Sequence, residues 1–194
     1  DAGEQHGLPS TLWLKCGLET QIPEQAVHSA IEAAFFRDLV PSLDINLPQP
    51  YATAFAPDWS SGIVIYEDLN QRSVQFRKQA GSLSPTEMQQ QLDMLATLHA
   101  TFWRDPKLQQ IEWLTPGGVI HSNGVLERFS GFWDYVSPMP RFKHVPASLM
   151  DRERILKANL ALMAADMSDP VCVAHGDPHI GNMFFDPDGR PGLL

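Results

Sequence analysis

The sequence is poor in thiols, in positive charge and in long apolar runs. Two cysteines occur in 194 residues, Cys16 and Cys172. They lie far apart, each in an apolar, strand-like run. That arrangement argues against a disulfide framework or a zinc cluster and for two buried thiols in a reducing, cytoplasmic setting. Lysine and arginine total 14 against 23 aspartates and glutamates, a formal charge of −9. Such a field repels phosphodiester backbones and argues against nucleic acid as the primary partner. No run approaches the roughly twenty apolar residues of a membrane-spanning helix, and none near Asp1 reads as a secretory signal. There is no internal repeat. Hydrophobic residues, by contrast, make up 43% of the chain, enough for one sizeable core or two small lobes. The 16 prolines cut it into short elements. The chain begins without methionine and ends on Gly192-Leu193-Leu194, an apolar run that reads as a strand cut short, so a piece of a longer protein is expected.

Thr11 to Cys16 reads as a strand ended by Gly17, with Lys15 within it or at its end. From Glu24 to Val40, Val27, Ile31, Phe35 and Leu39 recur at helical spacing between Pro23 and Pro41, with Glu32 flanking the stripe. After a proline-bounded connector from Leu43 to Pro50, Tyr51–Phe55 and Gly62–Tyr66 read as a hairpin around Pro57-Asp58-Trp59-Ser60-Ser61. Ser84-Pro85-Thr86-Glu87 carries a serine cap, a proline at the first helical position and a glutamate three residues after the serine, which predicts a helix start. The helix runs towards Trp103, and Met88, Leu92, Leu95, His99 and Phe102 lie on one face, wide enough with Leu98 and Trp103 to pack as a central helix. A short helix is expected around Phe129, Phe132, Trp133 and Val136. Another, marked by Leu156, Leu160, Met163 and Met167, starts near Asp151 and stops before Pro170. Val171 to Ala174 reads as a strand, followed by the polar loop His175 to Asn182, the strand Met183 to Phe185, an Asp186 to Gly189 turn and a return strand at Leu193. Strands early and helices later argue for an α+β, two-lobed arrangement.

The densest group of reactive side chains is His175-Gly176-Asp177-Pro178-His179-Ile180-Gly181-Asn182. A loop anchored at both ends by strands can point a carboxylate and an amide oxygen into one cleft. There an aspartate could accept a hydroxyl proton while an asparagine binds magnesium. His175, Asp177 and His179 taken alone also allow a divalent metal that activates water, the reading of a metal-dependent hydrolase. It leaves Asn182 and Lys15 without a part.

The HxDxxxxN pattern resembles the catalytic loop of the aminoglycoside phosphotransferase and choline kinase group, relatives of the protein kinases. Upstream, a strand lysine, Lys15, precedes a helix glutamate, Glu32, as in the kinase-fold ion pair. Val64-Ile65-Tyr66-Glu67-Asp68-Leu69 is similar to the hinge between lobes. Leu95-Ala96-Thr97-Leu98-His99-Ala100-Thr101-Phe102-Trp103 resembles a helix common in these phosphotransferases, including the ecdysteroid-kinase-like branch. The resemblance runs from Lys15 to Leu194. It implies a partial protein-kinase-like fold, with an N-terminal lobe over 1–66 and, over 67–194, the hinge and part of a C-terminal lobe.

By the same resemblance, the protein is an ATP- and Mg²⁺-dependent phosphotransferase acting on a small-molecule hydroxyl. Asp177 is then the catalytic base, Asn182 a magnesium ligand, and Lys15 the phosphate clamp positioned by Glu32. The backbone of Glu67 and Leu69 meets the adenine. His175 is expected to brace the loop. The family's nucleotide-covering loop before Lys15 and its second metal-binding aspartate after the hairpin are not found in the 194 residues, so the chain alone is expected to be inactive. A non-catalytic kinase-like binding module is the other alternative. The acceptor is not legible.

Overall fold

The computed structural model describes residues 7–17, 23–77, 83–114, 125–168 and 172–194. The fold is mixed α+β, with two small antiparallel sheets. The chain divides into two compact units, Asp1–Trp103 with Cys172–Leu194, and Arg104–Val171.

In the first unit, β1 (Leu12–Cys16), β2 (Pro50–Phe55) and β3 (Gly62–Glu67) form a sheet in the order β1-β3-β2. Helix α1 (Pro23–Asp38) packs on it. Strand β3 alternates buried and half-buried residues, as a strand with one face on a core must. Gly62, Val64 and Tyr66 face α1, whose Ala30, Ala33 and Ala34 are buried beside Phe36. The alanines allow close approach, and Gly62 requires it, since a Cβ there would stand 2.3 Å from Ser29 O and 2.4 Å from Ala30 Cα. Phe36 meets Tyr66 edge-on at 5.0 Å, a favoured aromatic geometry.

The second sheet joins β4 (Gln75–Phe76), β5 (Met183–Phe185) and β6 (Pro191–Leu193), in that order. Its centre is Phe184, wholly buried, whose ring lies so close over Gly192 that a Cβ there would come within 2.2 Å of it. Helix α2 (Pro85–Thr101) packs on β6 and opens with both halves of a capping box. The Ser84 N–H donates to Glu87 at 2.7 Å, and the Glu87 N–H donates to the Ser84 hydroxyl at 3.2 Å.

The second unit holds α3 (Val125–Val136) packed on α4 (Arg152–Ser168), which matches the two helices read from the sequence. The side chains of Phe129 and Met167, and the whole of Val171, lie outside the described residues. Among the described residues no helix is long and apolar enough to cross a membrane.

Three expectations are corrected. Leu98 of α2 and the following Phe102 are buried as expected, but Gln91 and Met94 complete that face, whereas Met88, Leu92 and Trp103 are 46%, 58% and 58% exposed. The apolar stripe was read one step round the helix, because the buried Gln91 is polar. Neither amide atom of Gln91 has a hydrogen-bond partner among the described residues. Cys172 to Ala174 is not a strand. These residues pair with no neighbouring strand, so their β-forming side chains have no ladder to join. Finally, the thiols are not two buried groups. Cys16 is exposed and Cys172 half-buried, because Cys16 lies on the β1 face turned away from α1.

Candidate functional site

Register places the first pair. Lys15 lies opposite Val64 and Trp13 opposite Tyr66, and residues facing each other across a ladder share a face. Val64 and Tyr66 are buried against α1, so Lys15 extends towards the same helix. Its ammonium meets both oxygens of Glu32, at 3.0 and 2.8 Å. Glu32 also accepts the Tyr66 hydroxyl proton at Oε1. Burial, and then the negative Glu32, push the Tyr66 phenol above its ordinary value of 10.0, so it stays a donor. Lys15 is 60% exposed and Glu32 22%. An ammonium has three N–H donors, so Lys15 can hold Glu32 and still donate to a further acceptor. Tyr66 was missed as the third member, although its position two residues after Val64 placed it on the same face.

Residues Glu67 to Leu69 follow at the end of β3. The Glu67 carboxylate is committed: it accepts from Gln49 N–H and from Arg72 Nη1, both at 2.8 Å. Asp68 ties the start of β1 to this segment, accepting from Thr11 Oγ1 and Trp13 Nε1 at 3.0 Å each and capping the short 3-10 turn over Leu69–Arg72 through the Asn70 N–H. That backbone N–H, with help from the side-chain donors, holds the Asp68 carboxyl below its ordinary range. Leu69 is buried at the head of the turn.

The 175–182 loop is organised by its own side chains. Gly176 has φ +87°, a backbone conformation glycine adopts without strain, which turns the Asp177 N–H back onto His175 Nδ1 at 3.2 Å. With Nδ1 accepting, the neutral ring carries its proton on Nε2, which donates to Leu194 O at 2.8 Å. His175 therefore staples the loop to the end of β6, and the Leu194 N–H donates to Asn182 O at 2.9 Å. His179 Nδ1 accepts the Gly181 N–H at 2.9 Å, and its ring covers Gly181 so closely that a Cβ there would lie 2.6 Å from it. Its Nε2 stands 3.5 Å from Asp177 Oδ2.

The two residues read as chemical partners do meet. Asn182 Nδ2 donates to Asp177 O at 2.9 Å and to Asp177 Oδ2 at 3.3 Å. With both donations made by Nδ2, Asn182 Oδ1 is turned away as a hard oxygen ligand. Asp177 is 74% exposed. Its Oδ2 faces Asn182 and His179, which leaves Oδ1 for an incoming group.

A second polar cluster links the sheets and was not read from the sequence. Arg72 Nη2 donates to Asp186 Oδ1 at 2.6 Å and to Asn46 Oδ1 at 2.7 Å, while Nη1 holds Glu67. Asn46 Nδ2 donates to Asp186 Oδ2 at 2.9 Å, and the Leu193 N–H donates to Asn46 O at 3.0 Å. The guanidinium lies 5.5 Å over the Phe184 ring. Partial burial pulls against the Arg72 charge, but Glu67 and Asp186 outweigh it and its pKa rises.

The chain matches no family model and no curated protein. A clamped cation stands on the first sheet, and an exposed carboxylate with a neighbouring amide stands in the loop that leads into the central strand of the second. His175 has both ring nitrogens engaged by backbone, so it offers no lone pair to a metal. Among the described residues no three His, Cys, Asp or Glu side chains converge into a metal cage.

Proposed function

We propose that this chain carries the nucleotide-binding and catalytic parts of a two-lobed, protein-kinase-like phosphotransferase that uses ATP and Mg²⁺ to phosphorylate a hydroxyl group of a small molecule. The observation that supports this most is the Lys15–Glu32 pair. The resemblance nominated the two residues, and they meet through both carboxylate oxygens across a strand and a helix. Phosphoryl transfer demands little covalent chemistry from a protein and much positioning and charge neutralisation.

In this reading Lys15, held in place by Glu32, directs its remaining N–H at phosphate oxygens. The backbone between Glu67 and Leu69 receives the base. Asp177 Oδ1 accepts the proton of the acceptor hydroxyl and orients its oxygen. The oxygen donors fit the implied metal: Mg²⁺ is bound by one or two protein oxygens, the remaining ligands being water and phosphate, and Asn182 Oδ1 is such an oxygen. When bound, Mg²⁺ supplies charge neutralisation at the phosphates.

The test is a set of titrations and turnover assays on the purified full-length gene product, since the 194 residues alone are expected to be inactive. ATP binding is measured with and without Mg²⁺, and ADP formation is followed against a panel of hydroxylated small molecules. Lys15→Ala is expected to weaken nucleotide binding, and Asp177→Ala to abolish transfer while leaving that affinity within about twofold, as for a group acting only in the transition state. Nucleotide affinity unchanged by Lys15→Ala, or transfer surviving Asp177→Ala, overturns the assignment. Binding with no transfer to any acceptor marks a non-catalytic module instead.

A further inference from the structure

The guanidinium of Arg72 occupies an unusual place. It grips the end of the first sheet, through Glu67, and the end of the second, through Asp186. Asp186 immediately follows β5, and Asn182 immediately precedes it. Strand β5 has three residues, all buried, paired to β4 on one side and to β6 on the other. A strand this short and this packed is a rigid rod of about 10 Å. Holding one of its ends fixes the direction of the other.

We propose that Arg72 is a positioning residue for the 175–182 loop: by anchoring Asp186 to Glu67 it sets where Asn182 and, through it, Asp177 stand relative to the end of β3. The cluster has the closure such a device needs. Both oxygens of Asp186, both side-chain atoms of Asn46 and both terminal nitrogens of Arg72 are paired. A fully satisfied polar network is stiff, and one with a missing member is costly. The link onward to the chemical residues is also direct, since Asn182 Nδ2 holds Asp177 at two oxygens. Arg72 itself touches neither Asn182 nor Asp177, so its effect passes through β5. A lysine cannot replace it, because a single ammonium lacks the planar fork that reaches Glu67, Asn46 and Asp186 together.

The kinetic side of this inference rests on the phosphotransferase reading, and the structural side does not. The experiment therefore has two readouts on the same proteins: wild type, Arg72→Met, Arg72→Lys and Asp186→Asn. The first readout is the NMR signal of the Asn182 side-chain amide together with the Asp177 backbone amide, without ligand. Both are expected to shift or broaden in every variant while amides of α1 keep their positions. Superimposable Asn182 and Asp177 signals in a folded Arg72→Met or Asp186→Asn protein overturn the proposal, whatever the activity. The second readout is the Mg²⁺ concentration giving half-maximal turnover, set beside metal-free nucleotide affinity. Arg72→Met is expected to raise the former about tenfold, the lower end of what lost outer-shell support costs a metal site, and to leave the latter within about twofold. Arg72→Lys is expected to recover less than half of the loss. Equal losses in metal-free nucleotide affinity and Mg²⁺ response, or full recovery in Arg72→Lys, also overturn it. The kinetic readout uses the full-length gene product; if that wild type neither binds nucleotide nor turns over, the phosphotransferase reading falls and the NMR result alone decides the positioning role.

Discussion

Removing the Glu32 carboxylate separates two interactions that the structure fuses. Glu32 accepts from Lys15, which is largely in solvent, and from the Tyr66 hydroxyl, which belongs to a side chain only 8% exposed. The lysine contact is screened, and exposed ion pairs contribute about 0–1 kcal/mol. The tyrosine contact is of the other kind: Glu32→Ala leaves a buried donor without an acceptor, which costs about 1–3 kcal/mol. The sum is about 1–4 kcal/mol for Glu32→Ala. Glu32→Gln keeps an oxygen for Tyr66 and loses only charge, so about 1 kcal/mol is expected. Tyr66→Phe removes the orphaned donor, so Glu32→Ala with Tyr66→Phe is expected to be no less stable than Glu32→Ala alone, a coupling of about 1–2 kcal/mol in the cycle. Urea unfolding followed by far-UV circular dichroism reads this directly. At the usual slope a loss of 3 kcal/mol moves the midpoint by about 1–2 M. Additive effects of Glu32→Ala and Tyr66→Phe, or equal costs for Glu32→Ala and Glu32→Gln, would refute the reasoning, because either result means Tyr66 does not depend on the carboxylate.

The remaining predictions concern the supports of the two sheets. Gly62→Ala is expected to destabilise by about 2–3 kcal/mol, the upper part of the overpacking range, because the atoms it meets are helix backbone and cannot rotate aside. Gly131→Ala, in α3 with nothing within 4 Å of the new Cβ, is expected to stabilise by about 0.5–1 kcal/mol. Opposite signs in thermal melts are the check, and the same sign for both would contradict the packing argument. The Ser84 N–H, together with Arg77, holds the Glu87 carboxyl far below its ordinary 4.5, at about 2. A depressed carboxyl favours the folded state above its unfolded pKa and loses that contribution as pH falls through the folded one. The melting-temperature gap between wild type and Glu87→Gln is therefore expected to be constant above about pH 5 and to close towards pH 2. A gap that does not change with pH would show that the Glu87 charge plays no part in the cap.

Periodicity and cap chemistry made most of the elements legible. The α2 start was readable because Ser84, Pro85 and Glu87 act within one turn of each other, and the β2–β3 hairpin because its turn residues lie between two β-rich runs. The face of α2 was not, because Gln91 sits fully buried where a stripe of apolar residues would place a hydrophobe. The strand expected over 171–174 failed at Cys172 to Ala174 because strand propensity is realised only beside a partner strand. Local sequence also exposed the 175–182 loop, whose internal bonds span five residues or fewer. It could not expose the Arg72 cluster, whose members are separated by as many as 140 positions and share no spacing that a helix or strand would impose.

This difference follows from where the proposed site residues sit. Lys15 and Asp177 are mostly in solvent, so burial does not hold them and neither makes a core that periodicity would betray. Each is held instead by a neighbour that is itself locked: Lys15 by Glu32, which Tyr66 fixes from the core, and Asp177 by Asn182, which leads into β5. Exposed groups can reach a ligand, and buried supports keep them from wandering, at the cost of tolerating little change. Substitutions at Tyr66, Phe184 or Gly192 are thus expected to disturb the site as surely as substitutions in it. The two can be told apart because only the supports change the unfolding midpoint. For Gly192→Ala, whose Cβ would strike the Phe184 ring at 2.2 Å, the strand that carries Asn182 has to move or tilt. A lowered midpoint is therefore expected to come with displaced Asn182 amide signals, and a lowered midpoint with unmoved signals would mean that β5 does not transmit position.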